Sequence, residues 1–350
     1  MLRSRNATAA SIKMITNRST PTASRRVNSV LKIYTYKMMA STTFSPLLLI
    51  VLIGCSSIPV ATEPPALPDN YNPKYFVSRD GLKLHYNQYL PDTAITGVVL
   101  VAPGMGGIRT NDLDELGFTL SQAGYVVLVL HVRGTGYSEG DRGDISDYQL
   151  VIEDFKSFFE ATMRTYPDKP LFLLGHSLGG VTSIRIARDL GDKIKGVAII
   201  NPAYRYSMRS GPSFWIYVTY GFNALFRPSA LTVDMMSNEP EEATQPEDKE
   251  EFTARKNDLL IVKKFSMRYM MSVRKIMVKA KENAGFIDKP LLLIYGKKDA
   301  YIDHSGSEEI FDAWKCSNKK KVIFKEAGHG TYVANMSKNI ILEWLKGVKR

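Results

Sequence analysis

Residues 170–184 read PLFLLGHSLGGVTSI. The apolar run Leu171 to Leu174 stops at Gly175-His176-Ser177-Leu178-Gly179-Gly180. Beyond it Val181, Ile184, Ala187 and Leu190 recur at helical spacing. A short apolar run, a glycine-bounded turn and an amphipathic helix make a strand–turn–helix with a hydroxyl at its tip. The pattern G-x-S-x-G over residues 175–179 is that of a nucleophile elbow. The serine must project from a strained turn, and side chains two positions either side would collide with the neighbouring strand and helix. Glycine therefore stands at 175 and 179, and Gly180 adds clearance. The helix that follows aims its N-terminal N–H groups at the serine, where they favour negative charge.

Further apolar runs lie on both sides of this stretch. Residues 97–102, 125–130, 197–200, 291–295 and 322–324 are short and apolar, and 75–78 and 82–90 flank the turn Arg79-Asp80-Gly81. Helical spacing marks 112–123, 146–165, 179–190, 305–315 and 333–347. Alternating strand and helix predicts one α/β domain with a mostly parallel central sheet flanked by helices, over residues 75–350. Residues 202–286 interrupt the alternation. A structureless connection of that length is improbable, which predicts an inserted helical cap. Within it, 239–251 (EPEEATQPEDKEE) reads as a solvated acidic loop.

A serine hydroxyl is a weak nucleophile near neutral pH and needs a base held by a carboxylate. The chain has five histidines: His85, His131, His176, His304 and His329. His176 shares the tight turn with Ser177 and cannot readily face its Oγ. His329, in Ala327-Gly328-His329-Gly330 after the last strand, is the expected base; His304 is the competitor. The acid is expected after the strand at 291–295, at Asp299, with Asp303 as the alternative and a helix cap as its other role. Chain order is then Ser177, Asp299, His329. In this architecture the oxyanion is held by the N–H after the nucleophile, on Leu178, and by one from the loop after an early strand. Pro103-Gly104-Met105-Gly106-Gly107 fills that place, with Met105 as donor. The chemistry calls for no metal and no organic cofactor.

The chain resembles the α/β-hydrolases of the monoacylglycerol lipase and lysophospholipase type. The resemblance covers residues 75–350 and rests on PGMGG at 103–107, RGTGYSEGDRG at 133–143, GHSLGG at 175–180, GKKD at 296–299 and AGHG at 327–330. It implies ester hydrolysis of lipids bearing one acyl chain, on the same triad and oxyanion donors. Two positions depart from the family: Pro103-Gly104 stands where His-Gly is usual, and His131 where Asp is usual. The cap stretch 210–226 (SGPSFWIYVTYGFNALF) adds Phe214, Trp215, Tyr217, Tyr220, Phe222 and Phe226, and Tyr269, Met270, Val273, Ile276, Met277 and Ala280 follow at helical spacing. Taken singly, each of these side chains is better read as packing the cap onto the core; as a segment, so many aromatics in a cap suit an acyl pocket and contact with a membrane.

Formal net charge is +11. Eight of the basic residues lie in residues 1–54, which contain no Asp or Glu, leaving +3 for the rest. The excess belongs to the leader, which removes the case for a nucleic-acid partner. That leader ends in the apolar run Leu47 to Ile53, far too short to span a bilayer but suited to a signal sequence. Leu52-Ile53-Gly54-Cys55 resembles the lipobox of bacterial lipoproteins. The resemblance implies acylation at Cys55, a membrane anchor and, since Ser56 and Ser57 are unlike a retention signal, an outer-membrane location. An Arg- and Ser-rich transit peptide, a start at Met14 or Met38, and a plain buried thiol at 55 are the competing readings. Residues 55–74, with five prolines after Cys55, read as a tether. Cys316 is the second of two cysteines, so no disulfide framework is expected.

Overall fold

A computed structural model describes residues 63–67, 72–207, 214–237 and 245–349. The leader, Cys55, most of the tether and part of the cap (208–213 and 238–244) lie outside the described residues, as do the side chains of 214–217.

Eight strands form the central sheet: β1 (Lys74–Val77), β2 (Lys83–Tyr89), β3 (Gly97–Ala102), β4 (Tyr125–Leu130), β5 (Leu171–His176), β6 (Gly196–Ile200), β9 (Leu291–Gly296) and β10 (Lys319–Phe324). Two further strands, β7 (Leu231–Asp234) and β8 (Lys264–Ser266), make a separate antiparallel pair. The large sheet runs in the order β1-β2-β4-β3-β5-β6-β9-β10. β1 and β2 are antiparallel, and the pairings from β4 to β10 are parallel. β3, β4, β5, β6 and β9 are buried throughout, which is why they read as unbroken apolar runs. β10 is the sheet's edge and begins with Lys319-Lys320-Lys321, charges of the kind that discourage edge-to-edge pairing. Those lysines are why only 322–324 were legible as strand.

Helices α1 (Asp114–Gln122), α2 (Gln149–Thr165), α3 (Leu178–Leu190), α8 (Ser305–Ala313), α9 (Tyr332–Met336) and α10 (Lys338–Lys349) cover the two faces. One apolar cluster joins α2 and α3 to one face of the sheet; a second joins α1, α9 and α10 to the other. The predicted helix at 333–347 is two helices, interrupted at Ser337, whose Oγ donates to Val333 O.

Between β6 and β9 the chain adds α4 (Phe214–Phe226), the β7–β8 pair, α5 (Pro246–Asn257), α6 (Met267–Met277) and α7 (Ala280–Ala284). The acidic stretch is not all loop. Pro246 opens α5, with Glu247 and Asp248 in its first turn and Arg255 and Lys256 in its last. These are the start and stop signals of a helix, and they outweigh the charge pattern. The RGTGYSEGDRG stretch is where this insertion docks. Gly136 N donates to Leu260 O at 3.0 Å and Ser266 N to Gly143 O at 2.9 Å. The Asp144 carboxylate accepts from Ser266 Oγ at 2.5 Å and from the Arg268 guanidinium. Arg133, in the same stretch, is buried in a fork-to-fork pair with Asp154, both bonds 2.7 Å.

Candidate active site

Ser177 sits between β5 and α3 with φ 55° and ψ −120°, a left-handed conformation that a non-glycine residue holds only under constraint. The constraint is visible in the backbone. Ser177 N donates to Ile200 O at 2.9 Å, and Ser177 O accepts from Ala203 N at 3.0 Å and Gly180 N at 2.9 Å. A Cβ on Gly179 would run into the carbonyl of Ala102, and one on Gly175 into the carbonyl of Gly179. The elbow's two glycines thus let strand, helix and β3 meet.

Ser177 Oγ lies 2.9 Å from His329 Nε2, and His329 Nδ1 lies 2.6 Å from Asp299 Oδ2. Asp299 Oδ1 accepts from Tyr301 N at 2.9 Å and Ile302 N at 2.8 Å, which fixes the carboxylate after β9. The carboxylate is almost wholly buried, and with Nδ1–H donating to it, Nε2 faces the hydroxyl as an acceptor. Burial pulls the His329 pKa down, but Asp299, with Asp248 and Glu251 beyond it, outweighs burial and leaves it raised. Asp303 is not hydrogen-bonded to His329; its Oδ1 accepts from Ser305 N at the start of α8. His304 stacks on Tyr295.

Met105 and Leu178 line the same cleft as Ser177 and His329. Gly106 and Gly107 have φ of 81° and 89°, a turn open to glycine at little cost, and a Cβ on Gly104 would stand 3.3 Å from Ser177 Cβ. The cleft's other walls are largely apolar, among them Phe252, Val262, Phe265 and Met235. Among the described residues no group of three His, Cys, Asp or Glu side chains is arranged to hold a metal ion.

Several residues at this site escaped the sequence reading. His176 Nε2 donates to His329 O at 2.7 Å, and Asn201 Nδ2 donates to the same oxygen at 3.2 Å and to Gly328 O at 3.1 Å. Asn201 also accepts from Gly296 N at 2.9 Å, so it ties the ends of β6 and β9 to the histidine loop. Its φ is 44°, a conformation Asn tolerates better than most residues. An Asn directly after a buried strand was the available signal. From the cap, Asp248, Glu251 and Arg255 reach the site; the signals of the first two were hidden in the charge run, and Arg255 lies just beyond it.

A mostly parallel sheet with a serine on the elbow after its fifth strand, a histidine after the last and an inserted cap is the architecture of the α/β-hydrolases. The chain belongs to the Hydrolase_4 family, described as serine aminopeptidase, S33, whose pattern matches residues 93–333. It is 23% identical to monoglyceride lipase of Mus musculus over 276 residues, covering 78% of this chain and 89% of that protein. It is 28% identical to phospholipase YtpA of Bacillus subtilis over 203 residues, 56% of this chain and 74% of the other. The crystal structure of Paleococcus ferrophilus monoacylglycerol lipase matches with a TM-score of 0.63 and 27% identity, over 76% of this chain and 99% of that one. A soluble variant of monoglyceride lipase from Saccharomyces cerevisiae, in complex with a substrate analogue, has the same fold, with a TM-score of 0.67 and 21% identity over 82% and 99%. The chain is a serine ester hydrolase, similar to monoglyceride lipases.

Proposed function

We propose that this enzyme hydrolyses carboxylic esters of lipids with a single acyl chain, monoacylglycerols or lysophospholipids, through an acyl-enzyme. The observation that carries the reading is the unbroken line from Ser177 Oγ to His329 to Asp299 beneath a largely apolar cleft. Ser177 Oγ attacks the ester carbonyl as His329 Nε2 takes its proton. Asp299 holds the imidazole and stabilises its charged form. The N–H groups of Leu178 and Met105 receive the oxyanion, an arrangement in which one donor is worth about 3 kcal/mol of barrier. His329 then protonates the departing alcohol. Water, deprotonated in turn by His329, releases the fatty acid.

Substrate class rests on the cap. Val218, Phe222, Leu225 and Phe226 lie along one side of α4 and are exposed, Leu225 to 74%. Such an exposed apolar stripe on the cap supports contact with lipid. Anchoring through Cys55 in the outer membrane rests on the lipobox-like sequence, and mass spectrometry of the mature N-terminus checks it; an unmodified Cys55 excludes it.

Two measurements test the enzymatic reading. A fluorophosphonate probe should label the wild type and leave Ser177→Ala unlabelled. A panel of monoacylglycerols, lysophospholipids, short esters and aminoacyl amides should show preference for long single-chain esters. The family's aminopeptidase description favours one competing reading, an exopeptidase on the same triad, and faster cleavage of the aminoacyl amides would establish it.

A further inference from the structure

Helix α5 carries three polar side chains that no step of this reaction uses. Asp248 Oδ1 accepts from the backbone N–H groups of His329 and Gly330, both at 3.1 Å. Glu251 Oε2 accepts from Thr331 Oγ1 at 3.0 Å. Arg255 Nη2 donates to the carbonyls of Met105 and Gly107, both at 3.1 Å. Spacings of three and four place these residues on one face of the helix, and all three line the cleft. One end of α5 therefore holds the loop of the base, and the other end holds the loop of the expected oxyanion donor. The opposite side of the base loop is held by the core, where His176 and Asn201 both donate to His329 O.

We propose that Asp248 and Arg255 are positioning residues, through which a seated cap aligns His329 and the Met105 N–H across Ser177. The proposal rests on the triad reading given above. Its physical basis is that a reacting geometry tolerates little error; displacement of about 1 Å can cost on the order of 100-fold in rate. Asp248 touches no reacting atom. It fixes the peptide from which the imidazole projects, and its charge favours the imidazolium that forms when Ser177 gives up its proton. His329 also faces Asp299 at Nδ1, Ser177 at Nε2, the rings of His176 and Tyr301, and Glu251 from α5. Burial raises the carboxyl of Asp248, the two amides offsetting this only in part, and its charge is among those that raise His329.

The experiment uses the full chain, p-nitrophenyl butyrate and fluorophosphonate labelling. Asp248→Ala should lower kcat by about 10- to 100-fold with KM unchanged. Asp248→Asn keeps an acceptor for the two amides and removes the charge. It should keep most of kcat, while the acid limb of its pH profile moves to lower pH, because His329 loses a neighbour that raised it. Arg255→Met should lower kcat without moving that limb. Wild-type kcat in both Asp248→Ala and Arg255→Met, or a loss confined to KM, overturns the proposal. If Asp248→Ala does not fold, Asp248→Asn decides: an unmoved acid limb overturns it. An active, labelled wild type with indifferent variants defeats the clamp alone. A wild type inert toward probe and ester defeats the triad reading and the clamp with it.

Discussion

Ser177 and His329 are 152 positions apart, and a hydrogen bond between their side chains requires each to be immobilised by its own loop. The elbow does this with strain, the histidine loop with hydrogen bonds to its peptide. Since Nε2 accepts the serine proton only when neutral, and the His329 pKa is raised, the acid limb of kcat/KM should have its midpoint above the 6.5 of an ordinary histidine. A pH–rate profile checks this; a midpoint below 6.5 would mean burial prevails over the carboxylates. Asp299→Asn should leave the fold intact and reduce kcat by up to about 10⁴-fold, because the amide no longer enforces the tautomer with a free Nε2. Thermal melting and single-turnover kinetics on the same sample separate the two effects. Ser177, His329 and the glycines around them were readable because their chemistry leaves local marks. Asn201 was not, since its three hydrogen bonds go to residues roughly a hundred positions away.

Elements show the same division. Helix α3 and strand β5 were legible from spacing, and the contact that positions them was legible only as two glycines. Gly179→Ala should prevent accumulation of folded protein, because the obstacle is the backbone of β3 and nothing flexible can yield. Gly347→Ala is the contrasting case. It lies on the solvent side of α10 with open space at its Cβ position, so alanine should stabilise the helix by up to about 1 kcal/mol. The yield of folded Gly179→Ala and the denaturant midpoint of Gly347→Ala test the pair; a folded Gly179→Ala at wild-type yield, or a lowered midpoint for Gly347→Ala, would refute it. The cap's β7–β8 pair docks through Asp144, whose side chain is buried against Ser266 and Arg268. Removing one partner of such a pair leaves the other uncompensated. Asp144→Ala should therefore expose residues 202–286 to limited proteolysis while β3, β5 and β6 stay protected; unchanged cleavage would show that apolar packing alone seats the cap.

For the molecule as a whole, the buried histidines contribute to the response to acid. His176 is pushed down to about 3, chiefly by burial and next by His329; His131, also buried, lies well below 6.5, and burial lowers His85. The unfolded chain binds these protons near pH 6.5 and the folded chain does not, so their contribution is complete above pH 6.5 and is lost as the pH falls. His329 works in the opposite sense, its raised pKa favouring the fold at lower pH. Three lowered histidines against one raised predict that the histidines, as a set, favour the fold more at pH 7 than at pH 5. His131 packs edge-on to His85, 4.7 Å between ring centroids, and among the described residues neither of its ring nitrogens has a hydrogen-bond partner. His131→Leu should shrink the difference between urea midpoints at the two pH values; an undiminished difference would place the effect on other groups.

Periodicity and local motif were enough to recover the eight runs of the central sheet, the flanking helices and the elbow, because a strand buried on both faces and a helix buried on one each impose a pattern on their own residues. Folding decided for Asp299, the expected acid, over Asp303, and supplied the antiparallel β7–β8 pair inside the cap and the reach of α5 to two loops at once. A hydrogen bond between distant segments leaves no period in either one. Asp248 and Arg255 look like surface charges in a charged stretch until the chain turns back and sets their helix over the cleft.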